Sequence, residues 1–132
     1  MKKFLLGSSV NMGLLVLRVF SGSFMLFAHG YPKLKSFNER FSTFSDPLGV
    51  GSEISYLFAV GAEFLCSILV ILGLFTRVAV IPLIITMLVA ALIVHADDPW
   101  SKQEFALLYA VTFTTLFFTG AGKFSMDHQV LK

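Results

Sequence analysis

The sequence predicts an all-α integral membrane protein, an antiparallel bundle of four transmembrane helices with an interfacial helix in the first outer loop. Hydrophobic residues make up 56% of the 132 residues and charged residues only 14%, and the mean hydropathy is +0.82. A soluble domain of this length could not bury so much apolar surface. We therefore expect one membrane domain over residues 1–132, in contact with the lipid bilayer.

Four apolar stretches approach the ~20 residues that a helix needs to cross a bilayer. Gly73 stands where the second stretch should end, and Thr76 and Arg77 then form a tight turn, which makes the second and third spans an antiparallel hairpin. Ser52 is the expected cap of the second span, and SKQE (Ser101–Glu104) matches a capping box at the start of the fourth. The predicted spans are residues 10–29, 54–75, 78–95 and 104–121.

The first outer loop predicts a further helix, over about residues 32–45. Pro32 can open this helix. Its apolar positions recur at spacings of 3, 4 and 3, which places them on one helical face. This face either dips into the acyl boundary of the bilayer or caps the bundle, and the sequence leaves both open. The positions are Leu34, Phe37, Phe41 and Phe44.

The basic residues near the span ends indicate the orientation of the chain. With both termini in the cytoplasm, the inner side carries five of them and the outer side four. Lys2 and Lys3 precede the dominant first span, and Asp97 and Asp98 lie on the outer side. We therefore expect both termini to be cytoplasmic.

Two charged residues fall near the middle of predicted spans, Arg18 in the first and Glu63 in the second. A lone charge at the bilayer centre costs roughly 2.5–3.5 kcal/mol even on lenient scales. Because the two helices are adjacent and antiparallel, we expect these side chains to be partners. The pair either fixes the register of the bundle or belongs to a polar pocket that binds a headgroup or relays a proton.

Further polar residues lie on the outer rim and on the same helix faces. His95 ends the third span and Glu104 opens the fourth, so the candidate intramembrane site is Arg18, Glu63, His95 and Glu104. Catalytic residues cannot be assigned, since no serine or cysteine nucleophile lies beside a histidine at matched depth. Secondary candidates are His29, Tyr56, Cys66 and Thr112.

Several classes of ligand are not expected. The net charge of +2 comes with no basic run interleaved with aromatics, which argues against nucleic acid. The spacing of His95, Asp97 and Glu104 is too unspecific for a metal site, and a haem between His29 and His95 lacks axial-ligand context. The single cysteine, Cys66, cannot run a dithiol relay alone.

Four sequence motifs follow one another along the chain. They are GYPKL (Gly30–Leu34), AEF (Ala62–Phe64), LGLFTR (Leu72–Arg77) and FTGAGKFSMD (Phe118–Asp127). With the arginine in the first span, they resemble the DoxX family of small four-helix bacterial membrane proteins over nearly the whole chain. Ala121 and Met126 are mild departures from the family's usual pattern in the last of these motifs, the C-terminal tail. Asp127 is available to cap or anchor this tail.

This resemblance implies a multi-pass protein of the bacterial inner membrane. It also implies an accessory or membrane-anchor subunit of a quinone- or thiol-linked redox system, non-catalytic alone, with quinone as a ligand and a membrane, periplasmic or cytoplasmic protein as partner. An enzymatic role would belong to an oxidoreductase complex. The alternative is a non-catalytic scaffold that docks a partner complex. A third role, as a small-solute or proton carrier, would require a homo-oligomer.

Overall fold

The computed structural model describes residues 1–6 and 9–131, and these residues form helices and connecting loops without any strand. Three of the long helices contain a π-helical segment, at Leu26–Gly30, Gly61–Cys66 and Ala90–Val94. We number the helices α1 Lys2–Leu6, α2 Val10–Lys35, α3 Phe37–Arg40, α4 Ser52–Leu72, α5 Thr76–Val94, α6 Trp100–Thr119 and α7 Met126–Val130.

The four long helices pack in a ring, α2 on α4, α4 on α5, α5 on α6 and α6 back on α2. Met25, Val70, Leu83 and Phe113, one from each helix, are fully buried at the centre. Small residues line the contacts and let the helix backbones approach closely, as is common between membrane helices. The buried alanines of these helices are Ala59, Ala62, Ala79, Ala91, Ala106 and Ala110.

The outside of the bundle is apolar. Phe20, Phe24 and Phe27 are all exposed on one face of α2, which in water would be an aggregation surface and in a bilayer meets acyl chains. By length and composition, α2, α4 and α5 are each sufficient to cross a membrane, with 26, 21 and 19 residues. The chain is therefore a membrane protein. α6 also has 20 residues, but the polar residues Ser101–Glu104 near its start make it less apolar than the other three helices.

The turn between α4 and α5 begins at Gly73 as predicted, but Thr76 and Arg77, predicted to form the turn, lie in the first turn of α5. Gly73 adopts a left-handed conformation (φ 69°) after the last residue of α4. Its N–H donates to the Val70 carbonyl at 3.1 Å, and the Leu74 N–H donates to the Leu69 carbonyl at 2.9 Å. This bond pattern satisfies carbonyls that a helix end leaves free, and α5 then begins at Thr76.

The capping predictions for α4 and α6 were wrong. Gly51, and not Ser52, precedes the first residue of α4. α6 begins at Trp100, so the SKQE motif lies inside its first turns. Pro99 has the extended conformation of a cap (φ −54°, ψ 145°), and its carbonyl accepts the Lys102 N–H at 3.0 Å. The fixed φ of proline thus starts the helix earlier than the capping box would.

The first outer loop also differs from the single helix expected over residues 32–45. α2 continues through Lys35, and the short α3 follows after a break at Ser36. The rings of Phe37, Phe41 and Phe44 contact the ring of buried Tyr56, with centroid distances of 5.6, 6.1 and 5.3 Å. These contacts favour the capping alternative over burial in the acyl boundary.

Glycines set the register of α2 against α4. A methyl group at Gly30 would overlap the Glu63 carbonyl and lie 2.7 Å from the Phe64 nitrogen. A methyl group at Gly22 would lie 2.7 Å from Ile71 Cγ1 and 3.2 Å from the Ser67 oxygen. Gly30 therefore faces Glu63, and Gly22 faces the last two turns of α4.

Gly30→Ala should destabilise the bundle, because the Glu63 backbone cannot give way as a flexible side chain would. We expect a loss of about 1–3 kcal/mol, the usual cost of overpacking. Thermal unfolding of the detergent-solubilised protein measures it. Gly61→Ala is the matched control, since nothing lies within 4 Å of the added carbon. Equal melting temperatures for the two variants would contradict the register described here.

Candidate functional site

The four long helices enclose a cavity of about 620 Å³ at one end of the bundle. We call this the loop end, because residues 36–51 and 95–99 connect the helices there. The opposite end, which carries residues 120–131, is the tail end. Most of the lining is apolar. The polar side chains in the lining are His29, Lys33, Ser45, Ser55, Glu63, Thr86, His95 and Lys102.

An ion pair lies in the wall of this cavity. Lys33 Nζ and Glu63 Oε2 are 2.9 Å apart, and the two side chains are only 18% and 4% exposed. The Tyr56 hydroxyl donates to the Lys33 carbonyl, which holds the end of α2 against α4. Because water is largely excluded, removing either partner would leave a costly unpaired charge.

The π-helical segments surround the same cavity. His29 lies in the first segment, Glu63 in the second, and the third ends directly before His95. A π-turn adds one residue to a helical turn and so redirects the side chains around it, and such turns are frequent at functional sites. Each of the three distorted helices thus contributes a polar residue to the lining.

His29 has an uncommitted ring nitrogen. Its imidazole packs against the rings of Phe105 and Tyr109, with centroid distances of 5.2 and 5.9 Å. Within residues 1–6 and 9–131, its buried Nε2 atom has no hydrogen-bond partner. A buried polar atom without a partner is costly, so this nitrogen is suited to a ligand atom inside the cavity.

Exposed apolar side chains border the cavity. Ile54 and Phe58 of α4 and Ile85 of α5 line it and are exposed. Exposed apolar side chains on a membrane helix face acyl chains. An amphipathic molecule could therefore enter from the bilayer with its polar end toward His29 and Lys33.

The loop before α4 covers the cavity at the loop end. The Asp46 carboxylate accepts hydrogen bonds from the Val50 N–H (3.0 Å), the Gly51 N–H (2.8 Å) and the Ser55 hydroxyl (2.9 Å). These bonds hold the pKa of Asp46 below its ordinary value, and the bond from Gly51 has the largest effect. The loop is thus fixed while this carboxylate is ionised.

His95 lies on the rim of the cavity and is tied to the next loop. Its Nδ1 is 2.6 Å from the Asp98 carboxylate, and this hydrogen bond lowers the pKa of Asp98. Its carbonyl accepts a bond from the Gln103 amide at 2.8 Å. His95 is therefore positioned by Asp98 of the loop that joins α5 to α6 and by Gln103 in the first turn of α6.

The predicted pairing of Arg18 with Glu63 was wrong. Arg18 lies at the tail end, where Nη1 donates to the carbonyls of Val70 (3.2 Å) and Ile71. The prediction placed Arg18 near the middle of a span that ends at residue 29, but the helix continues to Lys35. With Gly30 facing Glu63, Arg18 lies about three helical turns away along the axis.

Arg18 joins three parts of the chain at the tail end. Nη2 donates to the Phe124 carbonyl of the tail, and an added carbon at Gly73 would lie 2.7 Å from Nη1. The negative charge of Asp127 attracts the positive charge of Arg18. Its two carboxylate oxygens accept the N–H groups of Phe75 (2.6 Å) and Thr76 (3.0 Å), which cap α5.

The other sequence candidates lie outside the cavity lining. Glu104 is exposed on α6, Tyr56 is buried beneath the first outer loop, and Cys66 is half-buried against the core. The Thr112 hydroxyl donates to the Leu108 carbonyl of its own helix at 2.8 Å. Sequence reasoning missed Lys33, although the GYPKL motif contains it, because a first span that ends at residue 29 leaves this motif outside the membrane helix.

The sequence model of the DoxX family matches residues 13–96. The chain belongs to the DoxX family. The match covers α2, α4 and α5, which contribute His29, Lys33, Glu63 and His95 to the cavity. In this DoxX-family chain, Lys102 and the rest of α6 lie beyond the matched residues.

Two relatives are similar over nearly the whole DoxX-family chain. A Haemophilus influenzae protein described as uncharacterized is 32% identical over 135 residues, covering 96% of this chain and 87% of that protein. The Bacillus subtilis protein named "Putative oxidoreductase CatD" is 29% identical over 128 residues, covering 96% of this chain and 93% of that protein. No solved structure matches the chain.

Double-mutant cycles should separate the two charged sites. For Lys33→Ala with Glu63→Ala, we expect a coupling of about 1 kcal/mol or more, because each side chain is the other's buried partner. For Arg18→Ala with Glu63→Ala, we expect additivity within about 0.5 kcal/mol. Denaturant titration in detergent micelles gives the free energies of unfolding. Strong coupling in the Arg18 cycle, with none in the Lys33 cycle, would instead support an ion pair between Arg18 and Glu63.

Proposed function

We propose that this protein is an accessory or membrane-anchor subunit of a quinone- or thiol-linked redox system, and that the cavity at its loop end holds a quinone. The observation that carries the proposal is an apolar, lipid-facing cavity with a buried ion pair and an uncommitted imidazole at its polar side. The name of the Bacillus subtilis relative supports the redox class.

The lining suits the chemistry of a quinone. A volume of about 620 Å³ lies within the common range for small-ligand sites, which are mostly apolar with a few placed polar groups. The ring oxygens require hydrogen-bond donors, and His29 Nε2 and Lys33 Nζ are suitable groups. The opening beside Ile54 and Phe58 suits an apolar tail. A bound quinone would supply two-electron, two-proton chemistry to a redox partner.

The ionisable residues would position the ligand and manage its protons. Lys33 and Glu63 form a pair that can exchange a proton without leaving net charge in the apolar wall. His29 offers one more nitrogen, and His95 on the rim connects the cavity to the loop end. Cys66 lies apart from this lining, so the quinone branch of the proposal has more support here than the thiol branch.

The bilayer arrangement is part of the proposal. α6 crosses the membrane with α2, α4 and α5, since it packs along both of its neighbours and buries Phe113 and Leu116 between them. Residues 36–51 lie at the outer interface of the bacterial inner membrane and cap the bundle. The tail end, with both termini, faces the cytoplasm.

Quinone retention tests the function. Protein extracted gently from its native membrane should retain a quinone detectable by mass spectrometry. His29→Leu and Glu63→Gln should each lower retention by about tenfold, the effect of losing a hydrogen bond inside a dry cavity. Matched controls are His128→Leu at the tail end and Glu104→Gln, which lies outside the lining. Equal retention in all four variants would rule out this cavity.

The scaffold role makes a different prediction. The exposed Phe20, Phe24 and Phe27 on α2 form a face that a partner's helix could cover. Wild-type protein that co-purifies with another membrane protein, retains no quinone and is unaffected by His29→Leu would favour docking over ligand binding.

Cysteine labelling should test the orientation. In a Cys66→Ser background, Asn38→Cys at the loop end should react with a membrane-impermeant maleimide in intact cells. Gln129→Cys at the tail end should react only after the cells are opened. Both positions are exposed, so unequal burial does not explain a difference. The reverse labelling pattern would contradict cytoplasmic termini.

A further inference from the structure

A second concave surface lies at the tail end, on the opposite side of the bundle from the cavity. It is a groove of about 680 Å³ between the starts of α2 and α5 and the end of α6, with the 120–122 loop at its edge. Its polar lining residues are Asn11, Arg77, Lys123, Ser125, Asp127 and His128.

Two cationic residues are anchored on different walls of this groove. Arg77 Nη2 donates to the Phe118 carbonyl at 3.2 Å, and an added carbon at Gly120 would lie 3.5 Å from Arg77 Nε. The Lys123 N–H donates to Asn11 Oδ1 at 3.0 Å. Across the described part of the chain, neither Arg77 nor Lys123 forms an ion pair.

The acidic residue of the groove is already engaged. Both oxygens of Asp127 accept backbone N–H groups at the start of α5, where the helix dipole favours a negative charge. The Asp127 charge also acts on the buried Arg18. Arg77 and Lys123 therefore leave the groove with an excess of positive charge.

The groove lies at the depth of a lipid headgroup. α2 begins at Val10, α4 ends at Leu72 and α5 begins at Thr76, so this end of the apolar helices marks the membrane interface. Phe75 and Val78 border the groove and are exposed. A molecule held here would have its polar part between the cations and its apolar part beside these side chains.

We propose that this groove binds the phosphate headgroup of an anionic phospholipid from the leaflet at the tail end. A guanidinium fork matches phosphate oxygens in pairs, and an ammonium adds a point charge. Basic residues at a membrane surface recruit anionic lipids in proportion to their number. This site is independent of the proposed quinone cavity, because the two share no lining residue.

Native mass spectrometry of the full chain in detergent tests the proposal, with added phosphatidylglycerol or phosphatidylcholine. The wild type should prefer phosphatidylglycerol. Arg77→Gln with Lys123→Gln should weaken its binding about 25-fold, and Lys123→Gln alone about fivefold. The single variant changes an exposed side chain, so it keeps the test valid if the double variant fails to fold.

The matched control is Lys35→Gln with Arg40→Gln, which removes the same charge from exposed positions at the loop end. It should leave phosphatidylglycerol binding within about twofold of wild type. Equal binding of the two lipids by wild type, or equal loss in the control, would overturn the site. Displacement of the lipid by millimolar inorganic phosphate would also overturn it, since a free anion would then be the ligand.

Discussion

The buried guanidinium of Arg18 is the interaction on which the tail end depends. The last carbonyls of a helix have no partner within the helix, and Arg18 donates to two of them, at Val70 and Ile71 of α4. A cation there is also favoured by the helix dipole. Because the same group bonds Phe124, the end of α4 and the tail are fixed together, and Asp127 is brought to cap α5. The LGLFTR and FTGAGKFSMD motifs are thus two parts of one contact.

Glycine contacts determine which charges meet at the other end. Gly30 brings α2 against the backbone of Glu63, so the side chain that reaches Glu63 is Lys33, one turn farther along, and not Arg18. The π-turns that contain His29 and Glu63 lie at this same close approach. The tight backbone contact and the distorted helices thus meet at the wall of the cavity, where both polar side chains lie.

Composition and turn residues predicted much of the fold, and the register escaped prediction for a physical reason. Apolar stretches and Gly73 indicated the helices and the hairpin, because hydropathy and left-handed turns have local causes. The pairing of charges depends on relative depth, and a first span predicted to end at residue 29 gives the wrong depth because α2 runs to Lys35. The π-turns also have no local signature, so the alignment of His29, Lys33 and Glu63 was not foreseeable, while His95 at a helix end was.

The two charged sites differ in what the fold requires of them. Arg18 donates to the carbonyls of Ile71 and Phe124 and is a second donor to the Val70 carbonyl, which already accepts the Gly73 N–H, so both Nη atoms find partners within the chain. Lys33 and Glu63 satisfy only each other, and a buried ion pair of this kind is often no more stabilising than apolar side chains of similar volume. His29 adds a buried nitrogen without a partner in the described residues. Packing alone therefore gives no reason for the polar groups at the loop end, and the proposed ligand would supply one.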